Sequence, residues 1–240
     1  MFLAYFITVL RITIMKRKIP FFVLIVVIFF ILSTGCTKKE KPPDPVTDVE
    51  GNIYNTVKIG TQIWMAENLR TTKYNDGINI TLTPGSGQWN DLSNAGFCWY
   101  DNDEPSFKEL YGGLYNGYAV VSGKLCPDGW HIQEKQEWLV LREFLGDSVK
   151  AGGKMKEAGT TNWQSPNKGA DNSSGFTAVA AGIRYFEGTF SSNQSYTSMW
   201  SATEAVQGEL WCTSLYFADA TLALSHRSKR YGFSVRCLKN

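Results

Sequence analysis

Apolar residues along this chain fall into three regimes. From Phe21 to Leu32 they form one unbroken run, FFVLIVVIFFIL. Between Gln133 and Leu145 they take helical spacing: Trp138, Leu141 and Leu145, flanked by Leu139 and Phe144, make one apolar stripe. Gly146 ends that helix, and Glu134 and Glu137 lie in its first turns, where the helix dipole favours negative charge. Trp138 therefore reads as a core residue. A second helix is predicted over Asp147 to Ala158, weakened by Gly152-Gly153.

Elsewhere the apolar residues come in short bursts between glycines and polar turns, the pattern of strands. Asp48 to Asn52, DVEGN, reads as a turn. Tyr54, Val57, Ile59, Ile63 and Trp64 form two runs around Gly60-Thr61, a β-hairpin. Further strands are predicted at Gly96 to Asp101, Phe176 to Ala181, Ile183 to Phe186, Met199 to Thr203, Leu210 to Phe217 and Tyr231 to Leu238. Asn79 to Leu92, with Pro84, Gly85 and Gly87, reads as a surface loop. No internal repeat is visible.

The N-terminal run is shorter than the roughly 20 residues a membrane-spanning helix needs. Lys16, Arg17 and Lys18 precede it and Ser33, Thr34, Gly35 and Cys36 follow, the layout of a signal peptide. STGC after Leu32 resembles a bacterial lipobox, although the preferred leucine sits one position nearer the cysteine. The reading is a leader over 1–35, lipidation at Cys36, and a tether over 36–45 carrying Lys38, Lys39, Lys41, Pro42, Pro43 and Pro45. An uncleaved anchor is the alternative, and Met15 is an alternative start; either way the domain is tethered to a membrane. Acyl chains contribute about 0.8 kcal/mol per buried CH₂, so the several chains of a bacterial lipoprotein cysteine hold stably. KKEK after Cys36 lacks the acidic run that resembles a surface-export signal. The expected location is the cell envelope, anchored to the outer membrane and facing the periplasm.

The leader changes the charge reading. The chain has 24 basic and 22 acidic residues, net +2. Without Arg11, Lys16, Arg17 and Lys18 it keeps 20 basic against 22 acidic, which argues against a nucleic-acid partner. Charged residues are scarce at 19%, aromatics reach 14% and glycines number 22, a mix that suits one loop-rich extracytoplasmic domain over 46–240. Beside Cys36 stand Cys98, Cys126, Cys212 and Cys237, which permit two disulfides; the residues alone leave all three connectivities open.

The densest chemistry lies in LCPDGWHIQEKQEW, residues 125–138. His131 and His226 are the only histidines, and no set of three or four metal ligands accompanies them. A Cys126–His131 dyad would need a free thiol. GDSVKAGGKM, residues 146–155, lacks phosphate-loop spacing and a Ser or Thr after Lys154. Asp101, Asn102, Asp103 and Glu104 form an oxygen-rich cluster of the kind Ca²⁺ takes, though Pro105 and Ser106 break the EF-hand pattern and a solvated acidic turn is the other reading. Because Trp99 and Tyr100 adjoin it, Trp99, Tyr100, Asp101, Asn102 and Asp103 are the candidate rim of a ligand site, with calcium the one cofactor considered.

Several motifs then fall into one order: DVEGNIYNTVKIGTQIWMAENLR, YGGLYNGYAV, KLCPDGWHIQEKQEW, AGGKMKE, NWQSPN, NSSGFTAVAAGIR, MWSATE and GFSVRCLKN. Together they resemble the Fibrobacter succinogenes major paralogous domain, common in secreted and lipid-anchored proteins of Bacteroidota-type bacteria. The resemblance runs from Val46 to the C-terminus. It implies an α+β, C-type-lectin-like fold similar to that of formylglycine-generating enzymes, with short antiparallel strands, two helices and long loops. It implies a Cys126–Cys237 disulfide, and with that pairing Cys98 is left to Cys212. Family members place Pro-Ser/Thr where Gln133 and Glu134 stand, so the helix start is expected to be less well capped, at a cost of about 1 kcal/mol. Trp64, Trp130, Trp138 and Trp200 lie within these motifs and read as core, whereas Trp89 and Trp163, in polar segments, are expected to be exposed.

The functional expectation is a non-catalytic binding or display module, with glycans or envelope proteins as candidate ligands. The alternatives are a structural lipoprotein with protein partners only, or an enzyme of the formylglycine-generating type. That enzyme uses a free cysteine pair that binds copper.

Overall fold

The computed structural model describes residues 41–240, so the leader, Cys36 and most of the tether lie outside the described residues. Pro42–Asn240 forms one compact unit. It is α+β, mostly sheet.

The chain opens with a small ribbon. β1 (Val46–Thr47) pairs with β2 (Ile53–Tyr54) around the DVEGN turn. Asp48 fixes that turn by accepting the Glu50 and Asn52 N–H groups at 2.9 Å each, and Gly51 adopts a positive φ of 87°. The predicted hairpin follows as β3 (Thr56–Ile59) and β4 (Gln62–Met65). It is completed by the far end of the chain: β14 (Cys237–Lys239) lies between β4 and β7 (Trp130–Ile132), giving the order β3-β4-β14-β7.

The larger sheet has eight strands. Its path is β12 (Ala223–Ser228), β11 (Glu209–Tyr216), β10 (Tyr196–Val206), β8 (Ala181–Arg184), β13 (Gly232–Phe233), β6 (Leu114–Asn116) and β5 (Phe97–Cys98), with β9 (Phe190–Asn193) pairing β8 off that path. The named strand pairs are antiparallel, as expected, except that β10 and β8 run parallel at one residue pair, Thr197 and Gly182. β10 spans 11 residues, longer at both ends than the strand predicted over Met199 to Thr203.

Helices also depart from expectation. α1 (Ser86–Asn90) occupies the predicted surface loop and buries Trp89. α2 (Glu104–Tyr111) starts inside the acidic cluster. A short α3 (Gly117–Val120) follows β6. The predicted stripe forms α4 (Lys135–Phe144) and buries Trp138 and Leu141. Its start is well capped, contrary to expectation: Glu137 accepts the Glu134 N–H at 2.7 Å, and Thr203 Oγ1 accepts the Lys135 N–H at 2.9 Å. The second predicted helix shrinks to α5 (Ala151–Met155). There Gly152 and Gly153 serve close approach, since a Cβ would lie 2.4 Å from the Thr221 carbonyl oxygen and 2.3 Å from that of Gly169.

Three clusters make the core. Trp200, Phe233, Tyr54 and Tyr115 anchor the first, Trp64, Trp138 and Phe176 the second, and Trp89, Tyr100 and Tyr111 the third. Buried cations tie loops to these clusters. Arg236 donates to Asn68 Oδ1 at 2.8 Å, to the Thr177 carbonyl at 2.9 Å and to the Phe176 carbonyl. Lys156 donates to the carbonyls of Lys168, Tyr216 and Asp219.

Candidate functional site

The stretch 125–138 is scaffold. A disulfide joins Cys126 to Cys237 and fastens the last strand. His131 lies on β7, its ring 3.0 Å from Glu137 at the start of α4 and 2.6 Å from Asn240 Oδ1. Those contacts tie the C-terminus to the helix start. Cys98 and Cys212 do not form the second disulfide expected of them; both are buried free thiols. Their strands explain why. β5 and β11 stand five strand spacings apart, roughly 24 Å at about 4.8 Å per spacing, whereas a disulfide needs Cα atoms within about 7 Å. Cys98 packs in the third cluster and Cys212 in the first. The same separation stops the two thiols from sharing a metal ion.

In the Trp99–Asp103 segment the two aromatic rings are buried in the fold, whereas Asp101 and Asn102 are exposed. Trp99 is 2% exposed and stacks edge-on against Phe97 at 5.4 Å. Tyr100 is 4% exposed and packs against Phe107, Tyr111 and Phe190. It also covers Gly182, where a Cβ would meet its ring at 2.5 Å. Asp101 and Asn102 take left-handed backbone angles, φ 50° and 58°, in the turn that follows, and the Asn102 amide donates to the Pro84 carbonyl at 3.0 Å. Asp103 caps α2 by accepting the Ser106 N–H at 3.2 Å, and Glu104 pairs with Lys108 at 2.8 Å. Among the described residues no group of three or more His, Cys, Asp and Glu is placed to hold a metal ion. Trp89 and Trp163 are buried too. Their indole N–H groups reach the carbonyls of Arg230 and Ala178 at 2.9 and 2.8 Å, so polar sequence context misled on both.

The other end of the large sheet carries an open cleft of about 280 Å³. Tyr185, Tyr196, Tyr216 and Tyr231 line it with Ser192 and Arg227, over a floor of Ile183 and Phe233. Strand register puts these groups on one face. Tyr196 stands opposite Tyr216, Ser198 opposite Ser214, and Arg227 follows Ser225 on the matching side of β12. Tyr196, Ser198 and Ser214 bond in a closed triangle at 2.5, 3.1 and 2.8 Å, which fixes the Tyr196 ring. Tyr231 is steered by Tyr185 and Phe233 at 5.8 and 5.5 Å between rings. Tyr216 remains 42% exposed. Burial raises the Tyr231 phenol above its ordinary value, so it stays a neutral donor and acceptor at physiological pH. Ser192 holds φ 70°, an uncommon angle for a residue with a side chain.

The lining residues include no carboxylate, thiol or imidazole. The site can stack, donate and accept hydrogen bonds, and offer one positive charge. Sequence reasoning missed it because it weighed tryptophans and acidic clusters. The available signal was the alternation Tyr196, Ser198, Trp200 and Cys212, Ser214, Tyr216, which sets hydroxyls and aromatics on one face of two adjacent strands.

In comparison with known proteins, the description of the Fibrobacter succinogenes major domain matches residues 57–239. No curated protein and no solved structure matches the chain.

Proposed function

The chain belongs to the Fibrobacter succinogenes major domain family, and from that premise we propose that it is a lipid-anchored envelope protein whose domain binds glycans without catalysis. On this reading Cys36 carries the anchor and a C-type-lectin-like scaffold displays the tyrosine cleft. One observation carries the proposal: four tyrosines and a serine line an open cleft of about 280 Å³ that no acid–base pair enters. Tyrosine combines an apolar face, which packs against the C–H face of a sugar ring, with a hydroxyl that matches the ring's substituents. Few polar groups on a preformed aromatic surface is the usual makeup of a small-ligand site.

The test is a saccharide-binding screen on the full chain in detergent, followed by Tyr216→Ala and Tyr231→Ala. Binding that both substitutions abolish, in variants with unchanged unfolding curves, supports the cleft. Binding indifferent to both places the ligand elsewhere, and a screen with no binder removes the glycan reading.

One observation favours the second reading, an envelope lipoprotein with protein partners only. β12 is an edge strand, and an open edge can take a partner's strand. Co-purification of one fixed partner, lost when a proline is placed in β12, would support it.

A further inference from the structure

Arg184, Arg230 and Arg236 are spent on the fold, whereas Arg227 faces the cleft with donors to spare. Arg184 is fully buried, and its Nε, Nη1 and Nη2 donate to the carbonyls of Gly188, Thr83 and Pro84 at 3.0, 2.6 and 2.8 Å. Arg236 is spent in the same way. Arg230 is held by the Asn90 carbonyl and side chain. Arg227 lines the tyrosine cleft and makes a single hydrogen bond, from Nη1 to its neighbour's carbonyl at His226, 2.8 Å. Its Nε and Nη2 face no protein acceptor among the described residues.

The carboxylates of this region are engaged elsewhere. Glu204 pairs with Lys229 at 2.9 Å, Glu209 with His226, and Glu187 accepts the Thr189 hydroxyl at 3.0 Å. None of them hydrogen-bonds Arg227, so the cleft presents a guanidinium edge without a bonded carboxylate beside phenol hydroxyls. A guanidinium edge with two parallel N–H groups matches the two oxygens of a carboxylate, and such charge-assisted pairs are about twice as strong as neutral hydrogen bonds. Uncharged saccharides would leave that edge to water.

Resting on the glycan-binding reading, we infer that the cleft takes an acidic saccharide, and that Arg227 is the specificity-determining residue that binds its carboxylate. Sugar rings stack on Tyr216 and Tyr231 in acidic and neutral ligands alike. Arg227 supplies the preference for the acid.

The experiment compares polymers that differ only in charge: polygalacturonate against its full methyl ester, and hyaluronan against its carboxyl-reduced form. Equilibrium binding to the full chain in detergent is the readout. The expected result is at least about tenfold tighter binding of the acidic member of one pair, in line with a hydrogen bond to a charged group. That preference should shrink as salt is raised. R227Q should erase it, bringing the acidic polymer's affinity level with that of the neutral one, and R227K should restore part of it. R227Q tests binding rather than folding, because Arg227 is exposed on an edge strand. If acid and neutral polymers bind equally, and Tyr216→Ala weakens both, the acidic preference is overturned and the glycan reading stands. A preference that survives R227Q overturns the role of Arg227. If no saccharide binds, both readings fall together.

Discussion

The two ends of the large sheet carry similar materials put to opposite use. At the β5 end, Trp99, Tyr100, Asp101, Asn102 and Asp103 look like a binding site in sequence. Their rings are buried, the Asn102 amide and Asp103 carboxylate hold a turn and a helix start, and Asp101 stands in that turn. At the β10–β12 end, Tyr185, Tyr216, Tyr231 and Arg227 are scattered through unremarkable segments. They meet in an open cleft where hydroxyls and part of a guanidinium edge make no bond to the fold. The comparison teaches that residue type does not mark a site. A site is marked by polar atoms the fold has not already used.

Substitution at the two ends can break this comparison. Trp99→Ala should cost about 3–5 kcal/mol, the range for deleting a buried aromatic ring, and should alter binding only through the folded fraction. Tyr216→Ala, at a 42% exposed position, should cost about 0.5 kcal/mol or less yet weaken ligand binding. Urea unfolding beside the saccharide assay separates them. A stable Trp99→Ala variant that loses binding would return the site to the β5 end.

The arginines give the next largest contrast. Arg184→Met strands the Thr83 carbonyl, while Pro84 and Gly188 each keep one other donor, Asn102 and Ser86, and at about 1–3 kcal/mol for a buried unpaired group it should destabilise the domain clearly. Arg227→Met should shift the unfolding midpoint little. Equal losses in the two variants would mean that Arg227 is structural.

Thiol chemistry sharpens the comparison further, since Cys98 and Cys212 sit near opposite ends of the sheet. Burial pushes the Cys98 thiol up to about 12, against a usual value of 9.0, and raises Cys212 as well. Neither forms thiolate near neutrality, so both should resist alkylation in the folded domain. Two thiols from the domain should appear on denaturation without reductant, and two more after reduction of Cys126–Cys237. The sign of the shift also sets a pH dependence. A raised thiol value stabilises the fold fully below about pH 9, and that contribution is lost as pH climbs toward 12. Finding no thiol in the denatured, unreduced domain would place Cys98 against Cys212 after all.

Much of the architecture was legible in the chain. The hairpin around Gly60, α4, the long strands from Met199 and Leu210 and the turn at Asp48 all follow from spacing and turn residues. What was lost had physical causes. α1 was hidden because Gly85, Ser86 and Gly87 read as loop, yet Trp89 buries its ring under Arg184, 4.5 Å away, and pays the loop's ordering. β12 was missed because an edge strand shows no apolar run; ALSHRS alternates only weakly. The cleft was invisible because its tyrosines come from four strands or turns that only strand register brings together. α2 had a visible signal, an aspartate before Glu-Pro, a helix start with proline in the first turn. The acidic residues drew a metal reading instead.

That helix start supplies the smallest predicted effect. Asp103→Ala removes the acceptor for the Ser106 N–H and should cost about 1 kcal/mol, while Asp103→Ser, which keeps a capping oxygen, should cost less. Calcium at millimolar concentration should leave the unfolding midpoint of native protein and both variants unchanged, because Asp103 and Glu104 are already spent on Ser106 and Lys108. A calcium-dependent rise in the native midpoint that vanishes in Asp103→Ala would show that these oxygens converge on an ion. The β5 end would then hold a site as well, and the contrast between the two ends would be one of ligand rather than of use.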